Sequence, residues 1–160
     1  MKKNIYIIPG LRESCKSKPY QLFAGAASEK GYEVVCKNVD WESSLSSQIF
    51  VVPKNAVIFG FSLGAIFAWL VAQKYSCRHL ILASMTPHYN FVDLKIKKIL
   101  VDLTSKKLIY DVVKQLKLIH QAKKQTIMYG DREEEKADIL VPNTGHRLNN
   151  EYIKEIMKIL

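Results

Sequence analysis

The sequence predicts an α/β protein with a mostly parallel central sheet of about six strands and helices on both faces. Short apolar runs alternate along the chain with segments of helical period. The runs are apolar throughout rather than at every second residue, which is typical of strands buried on both faces. No internal repeat or linker divides the chain, so we expect residues 1–160 to form a single domain.

Six apolar runs predict the strands, because each is rich in β-branched, aromatic or aliphatic residues and has a glycine or proline near one end. They are Asn4–Pro9, Tyr32–Cys36, Ala56–Phe61, His79–Ala83, Gln125–Tyr129 and Ile139–Val141.

The helices are predicted from apolar residues spaced three to five apart and from their end signals. The first begins near Pro19 and stops at Gly31, and a short serine-rich helix is expected after Asp40. The predicted helical segments are Lys18–Lys30, part of Trp41–Phe50, Leu63–Tyr75, Asn90–Lys124 (two helices at most) and Asn149–Leu160.

Composition excludes several classes of protein. Apolar residues make up 48% of the chain, and none of the apolar runs reaches the roughly 18 residues of a membrane-spanning helix. The N-terminal segment lacks the apolar core and cleavage site of a signal peptide. Cys15, Cys36 and Cys77 are scattered, which favours free thiols in a reducing cytosol over disulfides or a zinc site. We therefore expect a cytoplasmic protein without a metal or cofactor.

Gly60-Phe61-Ser62-Leu63-Gly64 is a GxSxG motif at the end of the third predicted strand. The pentapeptide is a weak signal alone, but here it follows a strand and opens a helix, as a nucleophile elbow requires. The sharp turn would expose the Ser62 hydroxyl above the sheet, and the flanking glycines remove side chains that would collide. Ser62 is the candidate nucleophile, and the alternative is a turn that only joins a strand to a helix.

A serine nucleophile needs a base, and the chain has four histidines. His146 follows the last strand, at the carboxyl edge where open α/β sheets place their sites, and is the candidate base. His88 follows the fourth strand and could approach the same edge. His79 is expected to be structural, and His120 to cap a lysine-rich helix.

An acid that orients the imidazole is expected in the loop Asp131–Glu135, after the fifth strand. The loop offers four carboxylates at the right edge of the sheet, and only one of them can meet His146. The residues themselves leave the choice open.

The order strand–PGL, strand–GFSLG–helix, strand–GDRE, strand–TGHRLNNE–helix resembles the α/β-hydrolase superfamily over nearly the whole chain. The order serine, acid, histidine is the order of that family. The resemblance implies Glu133 as the acid, three residues after the glycine that closes its strand, with Asp131 as the second candidate. It also implies a minimal α/β-hydrolase fold, similar to small, cap-poor serine hydrolases and esterases.

The resemblance further implies an oxyanion hole formed by the backbone N–H groups of Leu63 and Leu11. Leu63 follows the nucleophile, and Leu11 belongs to the Pro9-Gly10-Leu11 turn after the first strand. Any lid would lie in residues 85–124. Met85, Phe91 and Leu94 in that segment are candidates for an acyl pocket or for the core.

The chain carries 24 Lys and Arg against 15 Asp and Glu, a net charge of +9. Residues 91–124, expected to overhang the site, hold nine lysines against three aspartates. They either attract an acidic carrier protein or cover the solvated faces of amphipathic helices. A nucleic-acid partner is not expected, because arginine is scarce and aromatic residues do not alternate with the lysines.

These features predict a serine hydrolase that cleaves a carboxylic ester or thioester of a small acyl group through an acyl-enzyme on Ser62. Two alternatives stay open. One is a catalytically weak binding or interaction module with the same fold, since fold does not determine function. The other is an esterase acting on a substrate linked to an acyl carrier.

Overall fold

The computed structural model describes residues 3–85, 98, 101–102, 104–117 and 119–160. The strands in this part of the chain are β1 (Lys3–Ile8), β2 (Tyr32–Cys36), β3 (Val57–Phe61), β4 (His79–Ala83), β5 (Gln125–Gly130) and β6 (Ile139–Val141). The helices are α1 (Lys18–Glu29), α2 (Leu45–Gln48), α3 (Leu63–Lys74), α4 (Lys106–Gln115) and α5 (Asn150–Ile159), and a 3-10 turn spans Asp131–Glu133.

The six strands form one sheet in the order β2-β1-β3-β4-β5-β6, and every neighbouring pair is parallel. The predicted fold class is confirmed, and each strand begins and ends within a residue or so of its predicted bounds. Successive side chains along each strand point to opposite faces of the sheet, so the core is divided into two parts, one on each face. Residues such as Ile58 and Leu82 pack with α2, α3 and α4, and residues such as Phe59 and Ile81 pack with α1 and α5.

The sheet has its topological switch point between β1 and β3. From β1 the chain moves outward to β2, and then returns to form β3 on the other side of β1. The helices that follow these two strands, α1 and α3, lie on opposite faces of the sheet. Their divergence leaves a crevice at the carboxyl ends of β1 and β3, where ligands bind in open α/β sheets. Ser62 is the first residue after β3.

The prediction that helix continues to Lys124 is wrong. Among the described residues, α4 ends at Gln115, and Leu116 is already extended with φ −69° and ψ 118°. The chain beyond it runs beside the start of β4, where Lys123 N–H donates to Cys77 O over 3.0 Å. Pairing with a neighbouring strand satisfies the backbone here, so the periodic lysines and leucines of this stretch do not make a helix.

The prediction of three free thiols is wrong for two of the cysteines. Cys15, in the loop after β1, forms a disulfide with Cys36 at the end of β2, and their Cα atoms are 5.8 Å apart. The partners are 21 residues apart in sequence, but β1 and β2 are adjacent parallel strands, so their carboxyl ends meet. Cys77 is free and buried. The cysteines therefore give no support to the predicted cytoplasmic location.

None of the described helices is long and apolar enough to cross a membrane.

Thiol titration tests the disulfide directly. We expect the unreduced protein, unfolded in denaturant, to react with one equivalent of a thiol reagent through Cys77, and with three after reduction. A Cys77→Ala variant, the matched control, should titrate none before reduction and two afterwards. Three reactive thiols in the unreduced wild type would contradict the pairing.

Two glycine substitutions test the packing between α3 and β1. A Cβ at Gly64 would collide with the carbonyl oxygens of Ile8 and Pro9, whereas a Cβ at Gly25, within α1, would meet nothing within 4 Å. Gly64→Ala should therefore lower the free energy of unfolding by about 3 kcal/mol. Gly25→Ala should raise it by about 0.5–1 kcal/mol, because alanine has the higher helix propensity. Urea unfolding measures both, and equal stability of the two variants would contradict the packing.

Candidate active site

Ser62 joins β3 to α3 in a conformation that few residues other than glycine adopt, with φ 55° and ψ −124°. The backbone can turn this sharply because side chains are missing on either side. A Cβ at Gly60 would collide with the first turn of α3, and one at Gly64 with the end of β1. Ser62 N–H donates to Ala83 O over 2.9 Å, which fastens the turn to the end of β4. The Ser62 side chain is thereby held above the carboxyl edge of the sheet.

The hydroxyl, an imidazole and a carboxylate form one hydrogen-bonded line. Ser62 Oγ is 2.9 Å from His146 Nε2, and His146 Nδ1 is 2.9 Å from Glu133 Oε2. The His146 side chain is 48% exposed, whereas that of Glu133 is only 10% exposed. The imidazole is therefore open to a substrate on one side and held by a shielded carboxylate on the other. This arrangement allows Nε2 to accept the serine proton while the carboxylate stabilises the resulting cation.

The carboxylate of Glu133 is anchored through its other oxygen. Oε1 accepts hydrogen bonds from the N–H of Gly130 at 2.8 Å and from the hydroxyls of Ser84 at 2.5 Å and Tyr152 at 3.1 Å. Burial acts to raise the pKa of Glu133, but the hydrogen bonds from His146, Ser84 and Gly130 outweigh it and hold the pKa below its usual value. Glu133 is therefore ionised at neutral pH.

Asp131, the second candidate for the acid, does not contact His146 and lies exposed at the surface. Its two oxygens accept the N–H groups of Asn143 at 2.8 Å and Thr144 at 3.0 Å, and these bonds lower its pKa. Asp131 therefore holds the loop that carries His146. The structure brings His146 to Glu133, the first of the two alternatives.

The loop that carries His146 is fixed at both ends. Before the histidine, it packs so closely on β5 that a Cβ at Gly130 would collide with the carbonyl of Thr144. After it, Asn149 donates to Thr144 Oγ1 over 3.1 Å and caps α5 by accepting the N–H of Tyr152. These contacts set the height of His146 above the sheet.

The loop after β1, predicted to supply an oxyanion donor, passes beside the nucleophile. A Cβ at Gly10 would lie only 3.1 Å from Ser62 Cβ. Gly10 N–H itself donates to Glu13 Oε2 over 3.0 Å, and the buried Tyr20 hydroxyl donates to the same oxygen over 2.5 Å. The next residue along this loop is Leu11.

Leu63, the other predicted donor, begins α3, where the first N–H groups have no partner within the helix. The two predicted donors therefore stand on segments that flank Ser62 from β1 and from α3.

Two of the other histidines and Met85 lie in the core or on the side of the sheet away from Ser62. His79 is structural as expected: it hydrogen-bonds Thr126 at 2.8 Å, and burial with nearby cations lowers its pKa to about 4. His120 does not cap a helix, because its chain segment is not helical; its ring bonds Gln125 and packs on Trp69. Met85 is buried in the core, the second of its two predicted places.

His88, Phe91 and Leu94 lie outside the described residues.

Where the structure describes it, the lysine-rich segment extends from one edge of the sheet to the other: Thr104 and Ser105 line a cleft together with Leu11 of the predicted oxyanion loop, whereas the end of the segment lies away from the serine. Lys117 O accepts the indole N–H of Trp69, in the second half of α3, over 2.9 Å. The backbone N–H of Lys123 donates to the carbonyl of Cys77, just before β4. Both lie toward the amino edge of the sheet, the edge opposite the serine, and residues 91–97 are outside the described part.

Two residues that touch the acid, Ser84 and Tyr152, were not predicted. Ser84 belongs to no motif, although it directly follows β4 at the same carboxyl edge. Tyr152 is one of the residues of the amphipathic helix α5, and its sequence position suggests only a core contact. Across the described ranges, no group of three or more His, Cys, Asp or Glu side chains is placed to hold a metal ion.

Comparison with known proteins shows similarity in structure but not in sequence. No protein-family model and no curated protein sequence matches the chain. A protein from Agrobacterium vitis S4 that is described as a hydrolase matches 99% of this chain and 86% of its own with a TM-score of 0.71 at 11% identity. Mouse alpha/beta hydrolase domain-containing protein 10 matches 98% and 87% with a TM-score of 0.68 at 12% identity.

A third structure, the α/β hydrolase enzyme MGS-MChE2 from the metagenome of sediments of the Mar Chica lagoon, Morocco, matches 99% of this chain and 89% of its own. Its TM-score is 0.62 at 18% identity. At these identities the similarity establishes the fold.

A pair of carboxylate substitutions separates the two acids. Glu133→Gln removes the charge beside His146, so any Ser62-dependent esterase activity should fall about 10⁴-fold in kcat, as for the acids of other serine enzymes. Asp131→Asn, the matched control, should keep kcat within about threefold and lower Tm, because it weakens the loop contacts to Asn143 and Thr144. A larger loss of kcat in Asp131→Asn than in Glu133→Gln would contradict the assignment.

Proposed function

We propose that this chain, which has the α/β-hydrolase fold, is a serine hydrolase that cleaves a carboxylic ester or thioester of a small acyl group. The observation that carries the proposal is the hydrogen-bonded line from Ser62 through His146 to Glu133, with 2.9 Å at each step. A strained serine, an accessible imidazole and a shielded carboxylate supply the nucleophile, the base and the orienting acid of nucleophilic acyl transfer.

In the first half of the proposed reaction, Ser62 Oγ attacks the acyl carbon while His146 Nε2 takes its proton. The imidazole becomes a cation, and Glu133 stabilises it through the hydrogen bond to Nδ1. The negative charge on the acyl oxygen of the tetrahedral intermediate would be stabilised by the N–H groups of Leu63 and Leu11. His146 then gives its proton to the departing alcohol or thiol, leaving an acyl group on Ser62.

In the second half, His146 takes a proton from water as the water oxygen attacks the acyl carbon. The second tetrahedral intermediate collapses when Ser62 Oγ leaves and recovers its proton from His146. The carboxylic acid is released, and the free enzyme is restored. Each step uses only this chain's residues, the substrate and one water molecule.

A cleft beside the oxyanion loop supports a small acyl group. Its volume is about 430 Å³. The apolar part of its wall is formed by Leu11, Val39 and Trp41, and Arg12 and Asp40 are among its charged lining residues. Such a volume is within the range of small-molecule sites, and a short acyl chain would fit into it.

A panel of p-nitrophenyl esters from acetate to octanoate, with one acyl thioester, tests the proposed activity. Wild type should hydrolyse the short esters fastest, and Ser62→Ala should lose at least about 10⁴-fold in kcat/KM. Ser28→Ala, an exposed serine in α1, is the matched control and should retain full activity.

A fluorophosphonate probe gives an independent test, because it labels an activated serine whether or not the chosen esters fit. Labelling of wild type and Ser28→Ala, but not of Ser62→Ala, is the expected result. Folded wild-type protein that neither reacts with the probe nor hydrolyses any ester would overturn the proposal in favour of a binding module.

A further inference from the structure

Ser84 has an unusual backbone for a buried residue. It is fully buried, with 0% of its surface exposed, and its φ of 41° lies in the region that favours glycine. Its N–H donates to Met128 O over 2.8 Å, so the conformation is held by the neighbouring strand β5. Glycine would adopt this backbone with less strain, so the contacts of the serine side chain are the feature that distinguishes this position.

The Ser84 hydroxyl lies between a carboxylate and a phenol. Its Oγ is 2.5 Å from Glu133 Oε1 and 2.6 Å from the Tyr152 hydroxyl. An ionised carboxylate can only accept, so the single proton of Ser84 goes to Glu133. The Tyr152 hydroxyl then faces two acceptors, Ser84 Oγ at 2.6 Å and Oε1 at 3.1 Å, and its one proton is shared between them. Burial raises the pKa of Tyr152, as does the nearby Glu133 charge, so the phenol keeps this proton.

These contacts decide which carboxylate oxygen is left for the histidine. Oε1 receives Ser84, Tyr152 and the Gly130 N–H, whereas Oε2 receives His146 Nδ1. Glutamate has one more rotatable bond than aspartate, so its carboxylate needs additional anchors to stay in one position. The hydroxyls meet it from β4 and from α5, while its own backbone follows β5.

We propose that Ser84 and Tyr152 are positioning residues for the proposed reaction: they hold Oε1 of Glu133 so that Oε2 stays directed at His146 Nδ1. The inference rests on the proposed hydrolase function. Neither residue touches the serine nucleophile. Phe61 supports the arrangement by packing against both rings, with its centroid 5.5 Å from that of His146 and 5.7 Å from that of Tyr152.

Three variants test the proposal through kcat. Ser84→Gly removes the hydroxyl while tolerating the positive φ, Ser84→Ala removes it without that relief, and Tyr152→Phe removes only the phenol oxygen. We expect kcat to fall roughly 10–100-fold, as when outer hydrogen-bond partners of other sites are removed, with KM nearly unchanged because no substrate contact is lost. Thr126→Val, the control, removes a buried hydroxyl that bonds His79, away from the site, and should keep kcat.

A double-mutant cycle separates positioning from general stability. In a Glu133→Gln background, Ser84→Gly and Tyr152→Phe should cause little further loss of kcat, since the carboxylate they hold is already gone. Unchanged kcat, within twofold, in both folded single variants would overturn the proposal. Losses in the Glu133→Gln background as large as in wild type would overturn it as well. Should Ser84→Gly fail to fold, Tyr152→Phe decides the matter.

The pH dependence of stability gives a readout that needs no activity. Because the pKa of Glu133 is lowered by folding, its contribution to stability is present above the unfolded-state pKa and is lost as pH falls through the lower, folded-state pKa. Ser84→Gly should raise the folded-state pKa of Glu133. The loss of unfolding free energy between pH 7 and pH 3, measured by urea unfolding, should therefore be smaller in this variant than in wild type. The same substitution should change nothing of this kind in Glu133→Gln.

Among the described residues, His146 and Tyr152 are the titratable groups that contact Glu133. Both are present in wild type, in Ser84→Gly, in Glu133→Gln and in the double variant, so their own titration cancels when Ser84→Gly is compared with its parent. A wild type without Ser62-dependent hydrolysis would overturn the proposed function alone. An acid-dependent stability that is identical in wild type and Ser84→Gly would overturn the positioning role, whatever the activity.

Discussion

At the turn after β3, three stretches of backbone pack against one another with no side chain between them. Gly60 lies against the first turn of α3, and Gly64 lies against the end of β1. This contact forces Ser62 into its positive φ and places α3 directly beneath it. The other parts of the site are arranged around Ser62. The loop after β1 passes it because β1 neighbours β3, and His146 reaches it from the loop after β6.

A second constraint comes from the partly buried carboxylate of Glu133. Glu133 is shielded from water, and an unpaired charge there would be costly. Its four hydrogen bonds remove that cost, but they require three separate strand ends and a helix to meet at one point. The charge on Glu133 therefore links the candidate site to the assembly of β4, β5, β6 and α5. A site of this kind is preorganised, because its dipoles are in place before a substrate binds.

The loop after β1 is held by contacts to α1 and to β2. Glu13 joins the Gly10 N–H to the Tyr20 hydroxyl on α1, and the Cys15–Cys36 disulfide joins the loop to β2. The first contact uses the Gly10 N–H, which leaves the next residue of the turn for the proposed oxyanion contact. Two separate restraints on a segment of this length limit its motion beside the serine, and this favours a fixed donor position.

The sequence by itself determined what local pattern can encode. Apolar runs, glycines and helix-end signals were enough for the parallel sheet, for Ser62 at a strand–helix turn and for His146 at the same edge, because each depends on a few consecutive residues. Only the tertiary structure placed Glu133 rather than Asp131 against His146, brought Ser84 and Tyr152 to Glu133, paired Cys15 with Cys36 and ended α4 at Gln115. These outcomes depend on which strand ends become neighbours, and contacts between residues far apart in sequence leave no periodic trace in the chain.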